Sequence, residues 1–105
     1  MTDARTFLEG LVGRPLETLT GRPNCILRLE GDDAIVQTGK SPSGQAVPIA
    51  WVQDALDMLE SNGEVQIDVE TVGYRSAFIG AVLSEFPSAI GTTNPRTIRL
   101  ATPPA

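Results

Sequence analysis

The chain predicts an α+β fold: a single small domain in the order αββαβαβ, with a mostly antiparallel sheet packed on helices. Three observations carry this reading. The 105 residues, 41% of them hydrophobic, suffice for one buried core and make one domain of ordinary size. Apolar residues recur at helical spacing in 7–12 and 51–59, and alternate with polar ones in 24–30 and 64–70. Gly, Pro, Asn and Asp fall between these stretches, where turns belong.

The elements follow in chain order. Asp3 caps a first helix of about ten residues, with Phe7, Leu8, Leu11 and Val12 on one stripe. Gly13 and Pro15 stop it. Leu16 to Leu19 reads as a short extended piece ending at Gly21-Arg22-Pro23. Asn24 to Glu30 is a strand whose apolar face is Cys25, Leu27 and Leu29, and Ala34 to Thr38 is its partner across the hairpin loop Gly31-Asp32-Asp33. A polar loop, Gly39 to Gln45, leads to Pro48 at the first position of a second helix. Trp51, Val52, Ala55, Leu56 and Leu59 form that helix's core stripe, and Asn62-Gly63 ends it. A strand over 64–72 and a helix over 76–86 come next, the helix apolar nearly all round and therefore central and buried. Ser76 is its expected N-cap. Ser88 to Pro95 reads as a loop and Thr97 to Leu100 as a last strand. The domain spans 1–100, and 101–105 is a disordered tail or linker stub. The helices 48–61 and 76–86 with strand 64–72 suggest a winged-helix-like surface.

Composition excludes several chemistries. The chain has no histidine, so His-based acid/base catalysis, Ser-His-Asp triads and His-ligated metal sites are out. The single cysteine, Cys25, has no internal disulfide partner and reads as a buried thiol. No apolar run approaches a membrane span and no signal peptide opens the chain, so the expected location is cytoplasmic and membrane-free. Gly39-Lys40-Ser41 is not a phosphate-binding P-loop, because Ala34 stands where that motif needs glycine and Pro42 opposes the following helix. Asp54, Asp57 and Glu60 lie on the helix face opposite Trp51 and read as solvated, and exposed carboxylates catalyse poorly. No enzyme activity, cofactor or metal is therefore expected.

The net charge is −5, unevenly placed. Asp54, Asp57, Glu60, Glu64, Asp68 and Glu70 form an acidic block, and no Lys or Arg occurs from Ser41 to Tyr74. The candidate binding residues lie mostly outside that block. Gly73-Tyr74-Arg75-Ser76 joins a helix N-terminus, which carries unpaired N–H donors and partial positive charge, to a guanidinium and an aromatic ring. Such a turn suits a phosphate or an unstacked base. The competing structural account has Ser76 capping, Arg75 paired with a carboxylate such as Glu70, and Tyr74 covering the core edge. Arg14, Arg22, Lys40 and Arg96 are further phosphate contacts, and Ser41 and Ser43 place hydroxyls near an anion or a base.

Three stretches together resemble a known kind of module. They are Thr38-x-x-Ser41-Pro42-x-Gly44-x-x-Val47-Pro48-Ile49, then Val52-Gln53-x-Ala55-Leu56-x-x-Leu59, then Tyr74-Arg75-Ser76-Ala77-Phe78-Ile79-Gly80-Ala81-Val82-Leu83. Across residues 15 to 100 the chain is similar to the N-terminal module that precedes nuclease domains in bacterial restriction-type endonucleases, some of the HNH kind that attack modified DNA. The resemblance implies a non-catalytic DNA-recognition module of a defence enzyme, partnered by DNA, modified or not, and by a nuclease domain or partner protein. The alternative is a protein-interaction or dimerisation module that docks through its acidic face, as a homodimer or with another protein. The DNA reading requires that the cations converge at the amino end of the innermost helix, away from the carboxylates.

Overall fold

The computed structural model describes residues 2–72, 75–93 and 95–101. Helix α1 (Ala4–Glu9) starts where Asp3 accepts hydrogen bonds from Thr6 N at 3.0 Å and Thr6 Oγ1 at 2.9 Å. These bonds, the backbone one foremost, hold the Asp3 carboxyl below its ordinary 3.8. The helix is shorter than its apolar stripe suggests, because Gly10 caps it and Leu11 N turns back to Leu8 O.

Four antiparallel strands follow in spatial order: β1 (Pro15–Glu17), β2 (Pro23–Glu30), β3 (Asp33–Thr38) and β4 (Ser41–Pro48). The expected hairpin at 31–33 forms, with Glu30 opposite Asp33 and Gly31 at positive φ. The polar segment 39–45 is not a loop. Lys40 N and Ser41 N both donate to Thr38 Oγ1, turning the chain at Gly39-Lys40 into β4. As an edge strand β4 tolerates Pro42, and Gly44 sits at a break in the β3–β4 register with φ +97. There a Cβ would stand 2.6 Å from Ile35 Cγ2. The apolar face of β2 is also shifted. Asn24 and Ile26 point inward, Cys25 is half-buried, and Leu27 is exposed, with a register break between Ile26 and Arg28.

Helix α2 (Ile49–Asn62) follows Pro48, which occupies the N-cap rather than the first helical position. It buries Ile49, Val52, Ala55, Leu56 and Leu59 and ends at Gly63 in the left-handed region. Its supposedly solvated face is partly used. Gln53 binds Ala4 N, Thr2 O and Asp57, and Glu60 accepts from Thr2 N, tying the start of the chain to α2.

The alternation after Gly63 makes only a three-residue strand, β5 (Glu64–Gln66). Val65 and Ile67 are buried, but Asp68 accepts from Thr71 N at 2.7 Å and starts a short helix, α3 (Val69–Val72), leaving Val69 56% exposed. The uninterrupted strand 64–72 on which a winged-helix-like surface would rest is absent. Helix α4 (Ser76–Leu83) buries every residue from Phe78 to Leu83 and packs against β1, α2 and α3. Strand β6 (Ala89–Thr93), in the segment expected to be a loop, forms a hairpin with β7 (Arg96–Leu100). The second antiparallel sheet is ordered β5-β7-β6.

The element order is therefore αββββαβααββ rather than αββαβαβ, within the same α+β class. One cluster of buried residues, drawn from both sheets and from α1, α2 and α4, makes a single core. The radius of gyration of 12.6 Å is close to the roughly 13 Å of a compact domain of this length.

Candidate functional site

Three turns bring cations together. The first is the tight loop before β2. Thr18 N donates to Arg22 O, Gly21 N to Thr18 O, and Arg22 N to Thr18 Oγ1 at 3.0 Å. The second is the β3–β4 turn, in which Thr38 Oγ1 fixes Lys40 and Ser41. The third is the N-cap of α4, where Arg75 has φ 68 and ψ 29. That left-handed conformation is unusual for a residue with a Cβ. Ser76 is the first helical residue, not the cap, and no side chain caps the helix. The first intrahelical bond runs from Ile79 N to Arg75 O, so the N–H groups of Ser76, Ala77 and Phe78 precede the helical ladder.

Between these turns lies a groove of about 410 Å³. Arg22, Lys40 and Arg75 line it together with Ser41, and all three cations are exposed. Pro23, Ala77 and Phe78 supply its apolar surface, and Asn24 and Thr18 its most buried polar one. No carboxylate is among its described lining residues. The sole ion pair among the described residues is Arg28–Glu30 at 3.0 Å, elsewhere on the exposed surface. Arg75 is thus not paired with Glu70 or any other described carboxylate. The described lining thus holds three cations and no anion in a chain that is negative overall.

Four of the nine sequence-selected residues meet there: Arg22, Lys40, Ser41 and Arg75. Arg14 does not. Its neighbours Gly13 and Pro15 line an adjoining depression that shares Pro23, Asn24, Thr38 and Gly39 with the groove. Ser43 is exposed on β4 and Ser76 is half-buried at the start of α4, and neither lines the groove. Arg96 belongs to the second sheet, where its carbonyl accepts from Ile67 N. Tyr74 lies outside the described residues. Asn24 was not legible as a site residue. The alternation of Cys25, Leu27 and Leu29 puts it on the outward face of the strand, and no other sequence signal marks it.

Among the described residues no group of three or more His, Cys, Asp or Glu could hold a metal, and no described helix is long and apolar enough to cross a membrane. The chain matches no protein-family profile, no curated protein and no solved structure.

Proposed function

We propose that this chain is a non-catalytic DNA-recognition module whose groove holds backbone phosphate through Arg22, Lys40 and Arg75. The observation that carries the reading is the convergence of three cations, from three separate elements, on a groove with no described carboxylate. Guanidinium forks fit phosphate oxygens in pairs, and the N–H groups opening α4 add donors and dipole. DNA as the source of that phosphate is the reading that the resemblance of segments 38–49, 52–59 and 74–83 to modules preceding nuclease domains implies. The acidic residues Asp54, Asp57, Glu60, Glu64, Asp68 and Glu70 lie on or beside α2, β5 and α3, and none of them is among the groove's described lining residues. With so few cations the module binds weakly alone and depends on a linked nuclease domain for avidity.

The test is a salt titration of DNA binding. Three phosphate contacts give a slope of log K against log salt of roughly −2 to −3. Arg22→Ala, Lys40→Ala and Arg75→Ala should each flatten it by about one contact, whereas Arg96→Ala should leave it unchanged. No binding at low salt, or equal effects at all four positions, refutes the groove.

A second reading, a protein-interaction or dimerisation module, is favoured by β6. Among the described strands it pairs with β7 alone, leaving its outer edge open, and it carries neither charge nor proline. Sedimentation at high concentration decides this point: a monomer removes the dimer version.

A further inference from the structure

We infer that the groove accepts one unpaired nucleotide, its base against Pro23 and Ala77 and its flanking phosphates on Arg22, Lys40 and Arg75. This rests on the phosphate-binding reading above and goes beyond it. Phosphate contacts alone need cations on a surface. They do not need a concave site, and a duplex presents its backbone as a convex ridge. Here the cations stand around a hollow of about 410 Å³, within the size range of small-ligand sites, and its exposed apolar lining is the Pro23 ring and the Ala77 methyl group. These two side chains can lie against the face of a base and give a phosphate no hydrogen bond.

Asn24 supplies the polar partner. It is only 7% exposed, yet it lines the groove. Its amide nitrogen donates to Pro23 O at 2.8 Å, which fixes the carboxamide, and its carbonyl oxygen has no partner among the described residues. That oxygen can accept from an amino group or ring N–H on the Watson–Crick edge of a base. The edge is hidden when the base is paired and open when it is not. The charge balance agrees: at a net −5 the chain gains little from long-range attraction to DNA, and the three groove cations suffice for the few phosphates around one nucleotide.

The unpaired base can come from a single strand or from an unpaired position within a duplex, and the experiment separates the two. Fluorescence anisotropy on the full chain compares a DNA single strand, the same strand in a perfect duplex, and that duplex with one base opposite an abasic site. The expected result is single-strand binding about tenfold tighter than perfect duplex, with the abasic-opposed duplex near the single strand if extrahelical bases are accepted. Ala77→Leu fills the groove from an exposed helical position that tolerates leucine. It should cut single-strand affinity about tenfold and perfect-duplex affinity by clearly less, while Arg75→Ala weakens both by a similar factor. Asn24→Ala should lower single-strand affinity without altering the salt slope; should it fail to fold, Ala77→Leu carries the test. Perfect duplex bound as tightly as single strand, with Ala77→Leu harmless, overturns the nucleotide pocket and spares the phosphate reading. Absence of binding to any probe at low salt overturns both.

Discussion

Replacing Arg75 by alanine and by glycine separates what its backbone costs from what its side chain does. At φ 68 and ψ 29 the residue sits in the left-handed region, where a Cβ costs about 1–2 kcal/mol. Alanine keeps that penalty. Glycine removes it and returns about 0.4–1 kcal/mol through the greater freedom of the unfolded chain. Arg75→Gly should therefore be more stable than Arg75→Ala by about 0.8 kcal/mol at the middle of those ranges, or roughly 3–6 °C in Tm for a domain near this size. Both variants lose the same guanidinium, so both should lose the same affinity. A charge-assisted contact is worth about 1.5–3 kcal/mol, or roughly 10- to 150-fold in Kd. Circular-dichroism melting and anisotropy on one DNA strand measure the two effects. A glycine variant melting no higher than the alanine variant removes the strain argument. Wild-type affinity in both variants removes Arg75 from the groove's function. The opposed signs, greater stability with weaker binding, are what a strained functional residue predicts.

Gly44→Ala combines a positive φ with a Cβ 2.6 Å from Ile35 Cγ2 and 3.1 Å from Leu27 Cδ1. Urea unfolding should show a loss of about 2–4 kcal/mol with an unchanged m-value, and an unchanged midpoint would contradict the β4 geometry. Asp3 has a folded pKa held below 3.8, so its contribution is present above that value and is lost as pH falls through the lower folded one. Across that acid range the wild type should lose more Tm than Asp3→Asn, and equal slopes would mean that the cap charge is inert.

Helix α2 was legible almost to the residue, because Trp51, Val52, Ala55, Leu56 and Leu59 give its stripe and Gly63 its stop. Burial of α4 followed from a run with no charge between Ser76 and Ser84. Strand ends were harder. Asp68 fits the wet face of a strand as well as it caps a helix, and tertiary context chose the cap. Strands β4 and β6 carry Ser, Thr, Gly and Pro in place of an apolar alternation; their pairing with β3 and β7 makes them strands, and pairing is not a local property. A single register break in β2 moved the buried face from Cys25 and Leu27 to Asn24 and Ile26. In the groove, Arg22, Lys40 and Arg75 come from positions that adjoin a turn or a helix start, which the sequence marks. Asn24 was hidden by the same break that exposed Leu27.

The groove's three cations come from positions 22, 40 and 75, on segments joined only when the first sheet has closed on α4. No short fragment of the chain can present all three. Occupancy is consequently coupled to cooperative unfolding of the domain: a ligand at 100 times its Kd should raise the unfolding free energy by about 2.7 kcal/mol. Differential scanning fluorimetry across a panel of nucleotides and oligonucleotides would then rank cognate compounds by melting temperature alone, with neither a label nor a catalytic assay.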